Sequence, residues 1–152
     1  MTEQNISRRS FLGLLGGLTL VGVASACTTA ESSDQNVESK KLEDLRAKKK
    51  YKEKTIEIGD NYFSPKQTTI EAGTIVIWKH IGRSLHNVIS DDVDDKQVDS
   101  DRNFSSDTLK NGNIHVALFE KAGQYFYHCS FHGGPQRGHW GSITVDSTDR
   151  TP

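Results

Sequence analysis

The chain has 152 residues, with 19 Lys and Arg against 20 Asp and Glu, for a formal net charge of −1 at pH 7. One domain's worth of chain at near-neutral charge excludes a generic nucleic-acid binder, which needs a clustered basic surplus. Two cysteines exclude a disulfide framework, and with 34% hydrophobic residues any long apolar run is a local feature.

The first such run spans Phe11 to Ala26, directly after Ser7-Arg8-Arg9-Ser10. At 16 residues, interrupted by Gly13, Gly16, Gly17 and Gly22, it falls short of the ~20 that a membrane-spanning helix needs. Paired Arg8 and Arg9 before a short apolar segment read as a twin-arginine export signal covering residues 1–26. The run ends in Ala24-Ser25-Ala26-Cys27, a small-residue cleavage pattern. A cysteine at this point resembles a lipoprotein box, with Ala24 where Leu is usual, so Cys27 is the expected site of acylation; plain cleavage after Ala26 is the alternative. The mature chain is therefore expected outside the cytoplasm, in the periplasm or lipid-anchored at the outer face of the cytoplasmic membrane.

Residues 27–52 carry no hydrophobic period. Thr, Ser, Asp and Glu give way to mixed charge with Lys48-Lys49-Lys50, and a disordered tether is the expected state, with Leu42 and Leu45 allowing at most a short solvated helix.

From residue 53 to residue 147 the pattern changes to short strands and turns, leaving 148–152 as a tail. Thr55–Ile58 alternates, Gly59-Asp60-Asn61 turns, and Thr68–Ile70 leads to a second turn at Gly73. Thr74-Ile75-Val76-Ile77-Trp78 is β-branched and almost continuous, as a strand covered on both faces should be. Strands follow at His86–Ile89, Ile114–Leu118, Gln124–Cys129 and Gly141–Val145. The polar stretch from Asp91 to Asn113 has room for a short helix or an edge strand. Seven to eight strands at this spacing predict an all-β domain, a Greek-key β-sandwich or barrel.

The chemistry gathers near the C-terminus. Cys129, His132 and His139 form Cys-x2-His-x6-His, and His86 lies far upstream in Leu85-His86-Asn87-Val88. One thiol and several imidazoles make a soft nitrogen–sulfur donor set suited to copper or zinc. A buried structural cysteine with satisfied histidines is the bland alternative. A Cys–His nucleophile would also need an orienting Asn or Asp and an oxyanion site, and nothing marks one.

Phe63-Ser64-Pro65, Thr69–Trp78, Leu85–Val88, Gly123–His132 and Gly141–Val145 together, in this order, resemble the cupredoxins of the plastocyanin, pseudoazurin and halocyanin type. The resemblance implies a Greek-key sandwich holding one copper ion, with zinc the weaker candidate on the Irving–Williams order. It implies His86 and His132 as imidazole ligands and Cys129 as the thiolate. His139 stands where the family has its axial Met, so a fourth, imidazole ligand is expected, as in red-copper sites of the nitrosocyanin kind. His80, two residues after Trp78 where the family usually has Asn, is expected to hydrogen-bond near the ligands, beside Asn87, with Trp140 limiting access. His115 and His128 are expected on strand faces away from the metal.

The function the resemblance implies is a monomeric one-electron carrier cycling Cu(I) and Cu(II), working with a redox partner protein outside the cytoplasm. A small copper redox enzyme taking nitric oxide or reactive oxygen, and a copper-handling protein without turnover, are the alternatives.

Overall fold

The structure, a computed structural model, describes residues 33–91 and 103–147. The segment read as a signal peptide, with Arg8 and Arg9, the expected acylation site Cys27, and the tail lie outside the described residues. Among the described residues no helix is long and apolar enough to cross a membrane.

One helix, α1 (Ser33–Ala47), precedes eight strands: β1 (Lys52–Gly59), β2 (Tyr62–Ser64), β3 (Gln67–Glu71), β4 (Thr74–His80), β5 (Ile89–Ser90), β6 (Ile114–Phe119), β7 (Gly123–Gly134) and β8 (Arg137–Asp146). They form two four-stranded sheets, in the orders β2-β1-β4-β6 and β3-β8-β7-β5. The pairs β1–β4 and β3–β8 are parallel and join strands distant in the chain, so connections cross between the sheets as the expected all-β sandwich requires. Alternation sends Ile56, Ile58, Val76, Trp78, Tyr125, Tyr127, Ile143 and Val145 into the core between the sheets. Trp78 stacks on Phe104 at 5.4 Å and meets the edge of Tyr127 at 5.5 Å.

Two local expectations change. The segment from His86 to Ile89 is a strand only at its end. His86 makes an isolated bridge to Leu109, while Ile89 and Ser90 pair with β7, so this stretch passes from one partner to another. The described part of the polar stretch, residues 103–113, forms no helix and no named strand.

The tether reading is corrected over residues 33–47. These form a helix, and its side chains close the free edge of the first sheet. Ile114 and Val116 turn their backbone groups away from β4, because His115 and Ala117 are the residues that face it. Gln35 takes both groups of Ile114, accepting from its N–H at 2.7 Å and donating to its carbonyl at 3.1 Å. Glu38 accepts from Val116 N–H at 2.7 Å, and Lys41 donates to Val116 O at 2.6 Å. Positions 35, 38 and 41 share one helical face. Leu42 packs with Ile75, Ile77 and Val116 on the outer face of the sheet. A helix with so polar a sequence is held by this docking and by edge protection, not by its own hydrophobic period.

Glu38 carries a pH signature. Burial raises its pKa, but the hydrogen bond and charge of His115, the charge of Lys41 and the Val116 N–H outweigh it, so the carboxyl sits below its ordinary 4.5. A depressed acid stabilises the fold above its unfolded pKa and loses that contribution as pH falls through the folded value. Amide protection at Val116 and along α1, corrected for the intrinsic pH dependence of exchange, is expected to fall as the pH drops through the depressed folded value of Glu38. Glu38→Gln should remove that acid-dependent step.

Candidate metal centre

The long hairpin of β7 and β8 builds the site. His128 pairs with Trp140 and Gly133 with Gly138, with a register shift between. Four residues of β7, Cys129 to His132, therefore oppose the single residue His139 of β8. This bulge arches the Cys-x2-His segment over His139 and turns side chains together that regular pleating would keep apart. Glycine is needed where the strands close below the arch. A Cβ on Gly133 would lie 2.7 Å from His139 N, and Gly138 has φ +68° with its Cβ direction 2.7 Å from His132 O.

His86 reaches the arch from the other side. Its backbone exchanges hydrogen bonds with Leu109 (N–H to O 3.2 Å, O to N–H 2.7 Å). Its Nδ1 lies 3.5 Å from Cys129 Sγ, and His132 Nδ1 lies 3.7 Å from the same sulfur. One potential ligand atom from each of His86, Cys129, His132 and His139 falls within 4.8 Å of the others, and this is the set to which the sequence pointed. His86, Cys129 and His139 are buried; His132 is exposed.

The remaining candidates separate. Asn87 is a clamp: its Nδ2 donates to Ser130 Oγ at 2.9 Å and its Oδ1 accepts from Ser130 N–H at 2.9 Å, tying the arch to the His86 segment. His80 is buried, with its Nε2 2.8 Å from Ser84 O and its ring 5.1 Å from that of His86, so it braces the loop leading to the ligand. Trp140 is a correction. Strand alternation turns it away from His139, against Phe126 and beneath Lys66 Nζ at 4.1 Å, and it does not cover the site. The ring on His139 is Phe63, at 4.2 Å. His115 and His128 lie elsewhere: His115 bonds Phe104 O and faces Glu38, and His128 pairs with Asp91.

One neighbour was not legible as more than a turn. Asp60 Oδ1 accepts from Arg83 N–H at 2.8 Å and Ser84 N–H at 3.0 Å, and stands 3.5 Å from His86 Nε2. The Ser84 and Arg83 N–H groups hold its carboxyl down at about 2. Gly-Asp-Asn is an ordinary turn composition, so no sequence signal distinguishes this aspartate.

The electrostatics suit a cation-binding site that works with neutral imidazoles. Burial, then the neighbouring His86, depresses His139 to about 4, and burial likewise lowers His86. Among the described residues neither ring nitrogen of His139 makes a well-formed hydrogen bond, though the Tyr62 backbone approaches the ring, and His86 Nε2 has only the 3.5 Å contact with Asp60. Buried polar atoms left this way are costly unless something satisfies them. A thiol and three imidazoles converging there fit a soft metal ion, and copper above all.

A family model described as copper binding proteins of the plastocyanin/azurin family matches residues 50–146. Comparison with curated proteins finds no match. Among solved structures, a novel purple cupredoxin from Nitrosopumilus maritimus is 33% identical, with a TM-score of 0.50, over 60% of this chain and 98% of that one. A mutant plastocyanin of fern is 24% identical, with a TM-score of 0.52, over 61% of this chain and all of that one (100%). An amicyanin mutant in its reduced state is 20% identical, with a TM-score of 0.51, over 64% and 84%. The last two support the fold alone.

Proposed function

The chain belongs to the plastocyanin/azurin family of copper binding proteins, and on that premise we propose that it is an exported one-electron carrier whose copper is held by His86, Cys129, His132 and His139. The observation that carries the reading is the distribution of burial: three of these residues are closed off inside the sandwich and His132 alone opens to solvent. Copper, when bound, supplies a one-electron couple. Cys129 contributes a thiolate that both oxidation states accept. His132 brings the edge of the site to the surface, where its neighbour Phe131 (51% exposed), and Leu85 (48% exposed) next to His86 in the chain, offer apolar area to a transient redox partner. The Asn87–Ser130 clamp and the core beneath Cys129 hold the donors in place, which keeps reorganisation between oxidation states small.

The 33% identical neighbour is named a purple cupredoxin, and a colour other than deep blue is what His139 as a fourth ligand would give this chain. Repeated reduction by ascorbate and oxidation by ferricyanide should bleach and restore the copper-loaded protein's colour with one electron per chain and no turnover. Catalytic consumption of nitric oxide or oxygen at the site would instead establish the enzyme reading.

Arg8-Arg9 and Ala24-Ser25-Ala26-Cys27 support export by the twin-arginine route and a lipid anchor. Wild-type protein should then partition with membranes, and Cys27→Ser should release it or leave it unprocessed. A soluble wild-type protein beginning at Cys27 with a free thiol contradicts the anchor.

A further inference from the structure

We propose that Asp60 is a positioning residue for the copper ligand His86, fixing which ring nitrogen carries the proton and strengthening the imidazole's donation to the metal. The inference rests on reading His86 as a ligand and goes beyond it, because it assigns a role to a residue that contributes no donor atom to the site.

The geometry is specific. Asp60 lies in the turn after β1, and its Oδ1 reaches the loop after β4 that leads to His86. There it accepts two backbone N–H groups, from Arg83 at 2.8 Å and Ser84 at 3.0 Å. The approach is tight enough that a Cβ on Gly82 would sit 2.6 Å from Oδ1. The same oxygen stands 3.5 Å from Nε2 of His86, whose side chain is fully buried while that of Asp60 is 42% exposed. Among the described residues Asp60 is the acceptor that His86 Nε2 faces, and His86 Nδ1 is the nitrogen turned toward Cys129 Sγ. One carboxylate thus holds the loop's backbone and faces the back of the ligand ring.

An ionised carboxylate can only accept hydrogen bonds. Placed behind Nε2, it favours the tautomer with the proton on Nε2 and the lone pair on Nδ1, aimed into the site. The tautomer of a ligand imidazole is set by the partner of its other nitrogen, and a carboxylate partner raises its basicity. A more basic imidazole favours Cu(II) over Cu(I). The chain thereby sets its potential from a surface turn.

Asp60→Asn separates this role from folding, because an amide oxygen can still accept from Arg83 and Ser84. In the metal-free protein, 15N NMR of His86 should show the Nε2–H form dominating in the wild type. That bias should weaken in Asp60→Asn, since the amide oxygen left in place carries no charge and accepts less strongly than a carboxylate oxygen, with the melting temperature unchanged. With copper, Asp60→Asn should lose about tenfold in Cu(II) affinity with Cu(I) affinity little changed, a rise in potential of about 59 mV. Wild-type tautomer or wild-type potential in Asp60→Asn would overturn the proposal and leave Asp60 a turn cap. Failure of the wild type to bind copper would overturn the reading of His86 as a ligand, whereas the tautomer, read without metal, judges Asp60 by itself.

Discussion

Cys129→Ser is expected to remove the intense visible absorption of the copper-loaded protein completely, since that band requires a copper–sulfur bond. The thiol is fully buried among Tyr127, Val88 and the rest of the inter-sheet core, with His86 and His132 against it. A serine hydroxyl fits the space but leaves a harder, weaker donor, and copper should bind far less tightly. In the metal-free protein, a buried hydroxyl without a good partner costs about 1–3 kcal/mol. Metal bound only to the native state stabilises it by mass action. The gap in melting temperature between metal-free and copper-loaded protein should therefore be large in the wild type and nearly absent in Cys129→Ser. A retained visible band would contradict the assignment of the thiolate.

The second large effect is expected at His139. Its ring is 1% exposed, packed on Phe63 and 4.8 Å from the ring of His86, with no well-formed hydrogen bond on either nitrogen among the described residues. Such a burial is hard to explain for a histidine without a ligand role. An imidazole donates more strongly than a thioether, so His139 as a fourth ligand would compete with the Cys129 thiolate for copper and change the copper–sulfur charge-transfer energy and intensity that make a deep blue site. The wild-type protein should therefore absorb as a purple, red or green species instead of a deep blue one. His139→Met should shift the spectrum toward blue and raise the potential by at least about 59 mV, one tenfold change in the ratio of Cu(I) to Cu(II) affinity. His139→Ala should leave a position that azide can occupy. A spectrum that is intensely blue in the wild type and unchanged in His139→Ala would show that His139 does not bind.

The site was legible because its chemistry is local in sequence. Cys129, His132 and His139 sit on one hairpin, and the bulge that joins them needs only four residues facing one. The strand β4 was legible for a different reason. Thr74 to Trp78 is apolar at every position but the first, which requires cover on both faces, and both faces are covered. What the sequence concealed was the cover itself. Ile75 and Ile77 lie under Leu42, from a segment whose composition reads as a tether. Helix α1 has one well-buried apolar side chain, Leu42, and docks mainly through Gln35, Glu38 and Lys41 on strand-edge backbone, an arrangement that leaves no hydrophobic period to read. Trp140 misled because adjacency in sequence is opposition in a strand. Asp60 was hidden because a turn aspartate looks the same whether it faces water or a ligand.

The most direct test of the central claim is a potentiometric titration of the purified, copper-loaded domain, followed by visible absorption with copper counted per chain. One copper per chain, with a band that disappears and returns along a single reversible one-electron Nernst curve, is the predicted result. A protein that holds zinc in preference to copper, or whose colour is lost irreversibly on the first reduction, would contradict it.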